Sequence, residues 1–206
     1  AAGNGIYQAD VKPGDVKYVD VNHDGVINAS DKVDLGNGLP KYTFGFNFSL
    51  AWKGFDLSAN FTGAAGFQIA QSYRDPSSSQ ANYSRRILKR WTGEGTSNEI
   101  PRVTYGDVGN WLFSDLYLQD GDYIRLQNLT MGYDFKKLIS WKGLSKMRLY
   151  FQVQNLFTLT KYDGMDPEIG SFNGTDGNSS DSWVSGVDMG YYPHPRTFIV
   201  GLNLAF

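Results

Sequence analysis

Five stretches of this chain alternate apolar and polar side chains at period two. Successive residues of a strand point to opposite faces, so each stretch predicts one greasy wall and one wet one. In Tyr42 to Trp52 the apolar set is Tyr42, Phe44, Phe46, Phe48, Leu50 and Trp52, set against Thr43, Gly45, Asn47, Ser49 and Ala51. Phe55 to Gly63 places Phe55, Leu57, Ala59 and Phe61 against Asp56, Ser58, Asn60 and Thr62. Met147 to Val153 sets Met147, Leu149, Phe151 and Val153 against Arg148, Tyr150 and Gln152, and Thr197 to Phe206 sets Phe198, Val200, Leu202, Leu204 and Phe206 against Thr197, Ile199, Gly201, Asn203 and Ala205. Strands of about 9–11 residues with this contrast are the signature of membrane-spanning barrel walls. The expected fold class is therefore all-β, an antiparallel transmembrane β-barrel segment with long loops.

The fifth stretch follows the Asp120-Gly121-Asp122 turn and reaches about Phe135. Ile124 and Leu126 share one parity while Leu129, Met131, Tyr133 and Phe135 take the other, which predicts a bulge near Gln127-Asn128. Connections alternate short and long. Lys53-Gly54 and 136–146 are short; 1–40, 68–117 and 159–195 are long, rich in Gly, Asp, Asn and Ser, and periodic only in a short possible helix at Tyr83–Trp91. Outer-membrane barrels keep short turns on the periplasmic side and long loops outside. The expected division is thus an extracellular loop at 1–40, a hairpin at 41–67, an extracellular loop at 68–117, a hairpin at 118–158, an extracellular loop at 159–195 and a terminal strand at 196–206, with the chain end periplasmic. Five strands do not close a barrel, because an open edge in hydrocarbon strands backbone polar groups at several kcal/mol each. The rest of the wall must come from elsewhere.

Composition narrows the partners. The formal net charge is -2, which gives no reason to attract nucleic acid, and the chain has no cysteine, which excludes disulfides and thiolate metal sites. No stretch reaches the roughly 18 consecutive apolar residues of a spanning helix, so membrane residence has to be by strands.

The segment Asp20-Val21-Asn22-His23-Asp24-Gly25-Val26-Ile27-Asn28-Ala29-Ser30-Asp31 has the spacing of an EF-hand-type calcium loop. Asp20, Asn22 and Asp24 stand at positions 1, 3 and 5, Gly25 at the sharp turn, Val26 at the position that offers a backbone carbonyl, and Asp31 at position 12. Hard oxygen ligands suit Ca²⁺, here as a structural staple. Asp31 replaces the usual bidentate Glu, and no flanking EF helices are expected. A loop of Asx turns without metal is the competing reading.

Several strings, taken in order, resemble the C-terminal end of SusC-like TonB-dependent transporters, the outer-membrane nutrient importers of Bacteroidetes. They are Gly14-Asp15-Val16-Lys17-Tyr18 leading into the acidic loop, Pro40-Lys41-Tyr42-Thr43-Phe44-Gly45-Phe46-Asn47, Trp52-Lys53-Gly54-Phe55-Asp56-Leu57-Ser58, Arg90-Trp91-Thr92-Gly93, the run from Leu118 to Tyr133, Gln154-Asn155-Leu156-Phe157 and Tyr192-Pro193-His194-Pro195-Arg196-Thr197-Phe198. The resemblance implies the last five strands of a barrel of about 22 strands with an internal plug. It also implies a SusD-like surface lipoprotein as lid, coupling to the TonB complex through a segment preceding this chain, outer-membrane lipid around the wall, and oligosaccharide or peptide as cargo. Asn47, Asn60, Arg125, Gln152 and Asn203 would then line the lumen.

Other clusters point less far. Arg85, Arg86, Lys89, Arg90 and Trp91 form an isolated basic patch, better suited to anionic lipopolysaccharide than to nucleic acid. Asp163, Asp166 and Glu168 lie in a Gly-rich loop, where acidic residues are expected to be solvated or turn-forming; a glycosidase pair is not expected. His23 and His194 belong to no nucleophile motif, and no enzyme is expected. Trp183, Tyr191 and Tyr192 suit either sugar stacking or an interfacial girdle. The principal rival to the barrel is a secreted calcium-binding β-sandwich that binds glycan, whose apolar faces would be buried under a second sheet.

Overall fold

The computed structural model describes residue 8 and residues 10–72, 85–104, 109–139, 141–169 and 186–206. The strands are β1 (Tyr42–Trp52), β2 (Phe55–Ala65), β3 (Gln68–Gln71), β4 (Leu118–Asp120), β5 (Tyr123–Asp134), β6 (Lys146–Thr160), β7 (Val187–Asp188) and β8 (Thr197–Ala205). Helical structure among the described residues is confined to short 3-10 turns, including Arg85–Lys89 within the expected helix. The chain divides into two units, one made of Ala1–Gly36 with Ser72–Tyr117 and the other of Asn37–Gln71 with Leu118–Phe206.

The second unit is built on a five-stranded sheet in the order β1-β2-β5-β6-β8, every neighbouring pair antiparallel. Lys53 and Gly54 both take positive φ, +48° and +98°, the backbone that a two-residue hairpin demands to match strand twist. The register then follows the side-chain alternation. Phe46 faces Phe61, while Phe151, opposite Val200, meets Phe198 on the diagonal, and each ring pair has centroids 6.2 Å apart. The register shift falls where the parity breaks: Phe61 pairs with Leu126 but Asn60 with Asn128, leaving Gln127 as the extra residue. That insertion returns Ile124, Leu126, Leu129 and Met131 to one face and leaves Arg125 on the other, in line with Thr62 and Thr158. The answering irregularity on β6 puts Asn155 at a φ of +52°.

The apolar face is open. Phe44, Phe46, Phe151 and Phe198 are 46%, 59%, 36% and 62% exposed, and among the described residues no second sheet is laid over them, against the sandwich reading. In water such an expanse would be an aggregation surface; against acyl chains it is the expected outside of a barrel. On the polar face one row runs Asp56, Gly132, Tyr150, Gly201 across four strands. Arg148 reaches over Gly132 to hold both oxygens of Asp56, at 2.8 and 2.5 Å, and a Cβ at position 132 would stand 2.6 Å from the guanidinium. Glycine there is a requirement of that strut. β1 and β8 are the edges of this sheet among the described residues, so it is a segment of wall.

Gln68–Gln71 and Val187–Asp188, expected as loop, and Leu118–Asp120, at the start of the expected second hairpin, form a second, small sheet of order β4-β3-β7, with β7 parallel to β3. Beside it Phe67, Ile69, Ala64 and Tyr162 make a core, joined by Tyr123 and Ile169. The first unit contains the acidic loop and is fastened by Asp15, whose carboxylate accepts hydrogen bonds from Arg102 and Asn110. Burial works against that carboxylate, yet the donors from Arg102, Asn110 and the Lys12 N–H outweigh it and hold Asp15 below the ordinary carboxylate range. Trp91, part of the basic cluster, packs where a Cβ on Gly14 would stand.

Candidate functional site

Among the described residues of the second unit a polar cluster centres on Arg125, which is 2% exposed. The β5 bulge sets its parity, and three neighbours take up its guanidinium. Nε donates to Thr158 Oγ1 at 2.9 Å, Nη1 to Glu168 Oε2 at 2.8 Å, and Nη2 to Asp166 Oδ1. Asp166, itself 5% exposed, also accepts from the Glu168 N–H at 2.9 Å and from the His194 N–H at 3.0 Å, and its Oδ2 lies 3.0 Å from His194 Nδ1. Burial pushes the Asp166 carboxyl up, but the His194 and Glu168 N–H groups, the imidazole and Arg125 prevail and hold it below the usual range. Asp166 is thus no solvated loop acid, contrary to the sequence expectation. It ties the exit of β6 and the approach to β8 onto the polar face of β5. A second tie runs beside it, from the Tyr162 hydroxyl to Asp188 at 2.5 Å.

Asp163 does stay at the surface, accepting from Gln71 and Gln119. Tyr191 and Tyr192 are exposed, at 41% and 83%, whereas Trp183 lies outside the described residues. The expected lumen set Asn47, Asn60, Arg125, Gln152 and Asn203 shares one face of the sheet by register.

In the first unit the acidic loop folds on itself. Asp20, buried, accepts from the N–H of Asp24 at 3.2 Å and of Gly25 at 2.8 Å, and Gly25 takes the positive φ of +84°. Asp31 accepts from Val21 N–H and Asn28 N–H at 2.9 and 2.8 Å and completes a capping box on the 3-10 turn Ala29–Asp31. Asp24 turns to the Val26 N–H and the Asn22 amide instead. The Asn28 N–H, with further help from Val21, Asn22 and the Asp20 carboxyl, holds Asp31 below its ordinary value. The side-chain oxygens of Asp20, Asn22, Asp24 and Asp31 are hard donors, a chemistry that fits a hard cation. Among the described residues, however, no three Asp, Glu, His or Cys side chains converge as a metal group.

No family model matches the chain. TonB-dependent receptor P3 of Formosa agariphila is 34% identical over 206 residues, covering 99% of this chain and 20% of the receptor. TonB-dependent receptor SusC of Bacteroides thetaiotaomicron is 29% identical over 205 residues, covering 98% of this chain and 18% of SusC. Over nearly its whole length the chain is homologous to a part of the TonB-dependent receptors, SusC among them. It spans about a fifth of the length of these curated relatives, at 20% and 18%. The fold agrees with solved structures of the RagAB peptide importer: the closed-closed state matches 94% of this chain and 20% of that chain with a TM-score of 0.64 at 22% identity. A second RagAB structure, described as a peptide transporter, matches 83% and 18% with a TM-score of 0.62 at 24% identity. At that identity the likeness is one of fold. TonB-dependent receptors are outer-membrane proteins, which accounts for the open apolar face.

Proposed function

We propose that this chain is the C-terminal wall and outer loops of a SusC-like importer that carries oligosaccharide or peptide across the outer membrane, lidded by a SusD-like surface lipoprotein and driven through TonB. The observation that carries the reading is the five-stranded antiparallel sheet with one open face of Phe, Leu and Trp and one face of Asn, Gln, Ser and Thr. The first face meets lipid and the second meets the lumen. In this reading Lys53-Gly54 and 136–146 are periplasmic, and the long loops are extracellular. The chain supplies shape and polar lining, with no covalent step. Cargo uptake by cells carrying the full-length receptor is expected to stop when its TonB-coupling segment is deleted; undiminished uptake would refute the reading.

The RagAB likeness favours peptide as cargo only through that neighbour's name, so both cargo classes stand. Asp20, Asn22, Asp24, Val26 and Asp31 are proposed as the Ca²⁺ ligands, supported by their spacing as hard oxygen donors and by the turn at Gly25. With Ca²⁺ in millimolar excess over a chelated sample, the full-length receptor should melt several degrees higher, and Asp31→Asn should abolish that difference. An equal shift in the variant would remove calcium from this loop.

A further inference from the structure

The two carboxylates on Arg125 are held very differently. Asp166 is enclosed and collects donors from Arg125, Glu168 and His194, so its removal would leave a buried cation exposed to no countercharge but Glu168. The Glu168 side chain is 44% exposed, and its carboxylate accepts a hydrogen bond from Arg125 Nη1. Of the five N–H groups a guanidinium carries, three are committed, to Thr158, Asp166 and Glu168. A ligand carboxylate that engages the Nη1 N–H held by Glu168 must therefore take it in place of that side chain.

We infer that Arg125 is a receptor for a ligand carboxylate, with Glu168 as the chain's own occupant, displaced when cargo bearing a carboxylate enters. The inference rests on the lumen reading of this face. Exchange is isoelectric: one carboxylate leaves the guanidinium and another takes its place, so the cluster of Arg125, Asp166, Glu168 and His194 keeps the charge its burial requires. Asp166 stays, holding the guanidinium in place, and Thr158 fixes the plane through Nε. The ligand class is therefore an organic acid function such as a peptide C-terminus, an acidic side chain or a uronic acid. The internal Glu168 competes at the high effective concentration of a tethered group, which keeps binding weak and reversible, as a transport step needs.

The test uses the full-length receptor in detergent and phenylglyoxal, which labels accessible guanidinium groups, with labelling of Arg125 read by peptide mass spectrometry against the exposed Arg85 in the same sample. Arg125 is expected to label slowly in the native protein and several-fold faster in Glu168→Ala and Glu168→Gln, with Arg85 unchanged. Acetate should slow the labelling of Arg125 in both variants, while acetamide, matched in size but uncharged, should not. The inference is overturned if neither variant speeds labelling, or if acetate protects no better than acetamide. Glu168→Gln keeps the side chain's volume, so a misfolded Ala variant does not spoil the comparison. Import is not the readout: a receptor that imports cargo yet shows no acetate protection defeats this inference alone.

Discussion

At the scale of single residues, Asp166 matters most because its charge is buried opposite Arg125 and shared among three segments of chain. Its carboxyl is held below the ordinary value, so the stabilisation it gives is complete above the unfolded carboxylate pKa of about 3.9 and is lost as pH falls through the folded value. The groups facing it are Arg125 and Tyr123 from β5, Glu168 from its own loop and His194 from the approach to β8. Asp166→Asn should destabilise the full-length receptor by about 3 kcal/mol at neutral pH. The gap in thermal denaturation between the variant and the native protein should close as pH is lowered below about 4. A gap that does not change with pH would mean that Asp166 works through shape and not charge. This hub is invisible in sequence, since Asp166 is 41 positions from Arg125 and 28 from His194. A Gly-rich neighbourhood argues for solvation until the tertiary contact is known.

At the scale of elements, legibility followed length. β1 and β2 carry 11 residues each, long enough for alternation to declare both the strand and its face. The bulge at Gln127 was legible for the same reason, because a parity break inside a long strand has one economical explanation. β3, β4 and β7, of 4, 3 and 2 residues, are too short to show a period and exist because Phe67, Ile69 and Tyr162 pack beside them. The acidic loop lies between these cases: its spacing was plain, and its turn at Gly25 formed, but Asp24 faces Val26 and Asn22 through contacts that spacing does not specify. On the apolar face of β6, Phe151→Arg should cost about 2–4 kcal/mol in lipid and should lower the fraction of folded receptor in urea titrations of vesicle-embedded protein. Gln152→Arg, one residue away on the other face, should cost far less. Equal penalties would contradict the assignment of faces.

At the scale of the whole molecule, the sheet is a piece of wall whose edges, β1 and β8, call for partners, and the relatives it matches are about five times longer, at 20% coverage. The central claim is that its apolar face looks outward into lipid. This chain has no cysteine, so single cysteines at Phe46, Phe151 and Phe198, and at Asn47, Gln152 and Asn203, are clean reporters once any cysteines elsewhere in the receptor are removed. Each would carry a fluorophore in the full-length receptor reconstituted in vesicles, and quenching by brominated lipid would be compared with quenching by aqueous iodide. The first three positions should be quenched by the lipid and the last three should not. Phe positions shielded from brominated lipid would contradict the account.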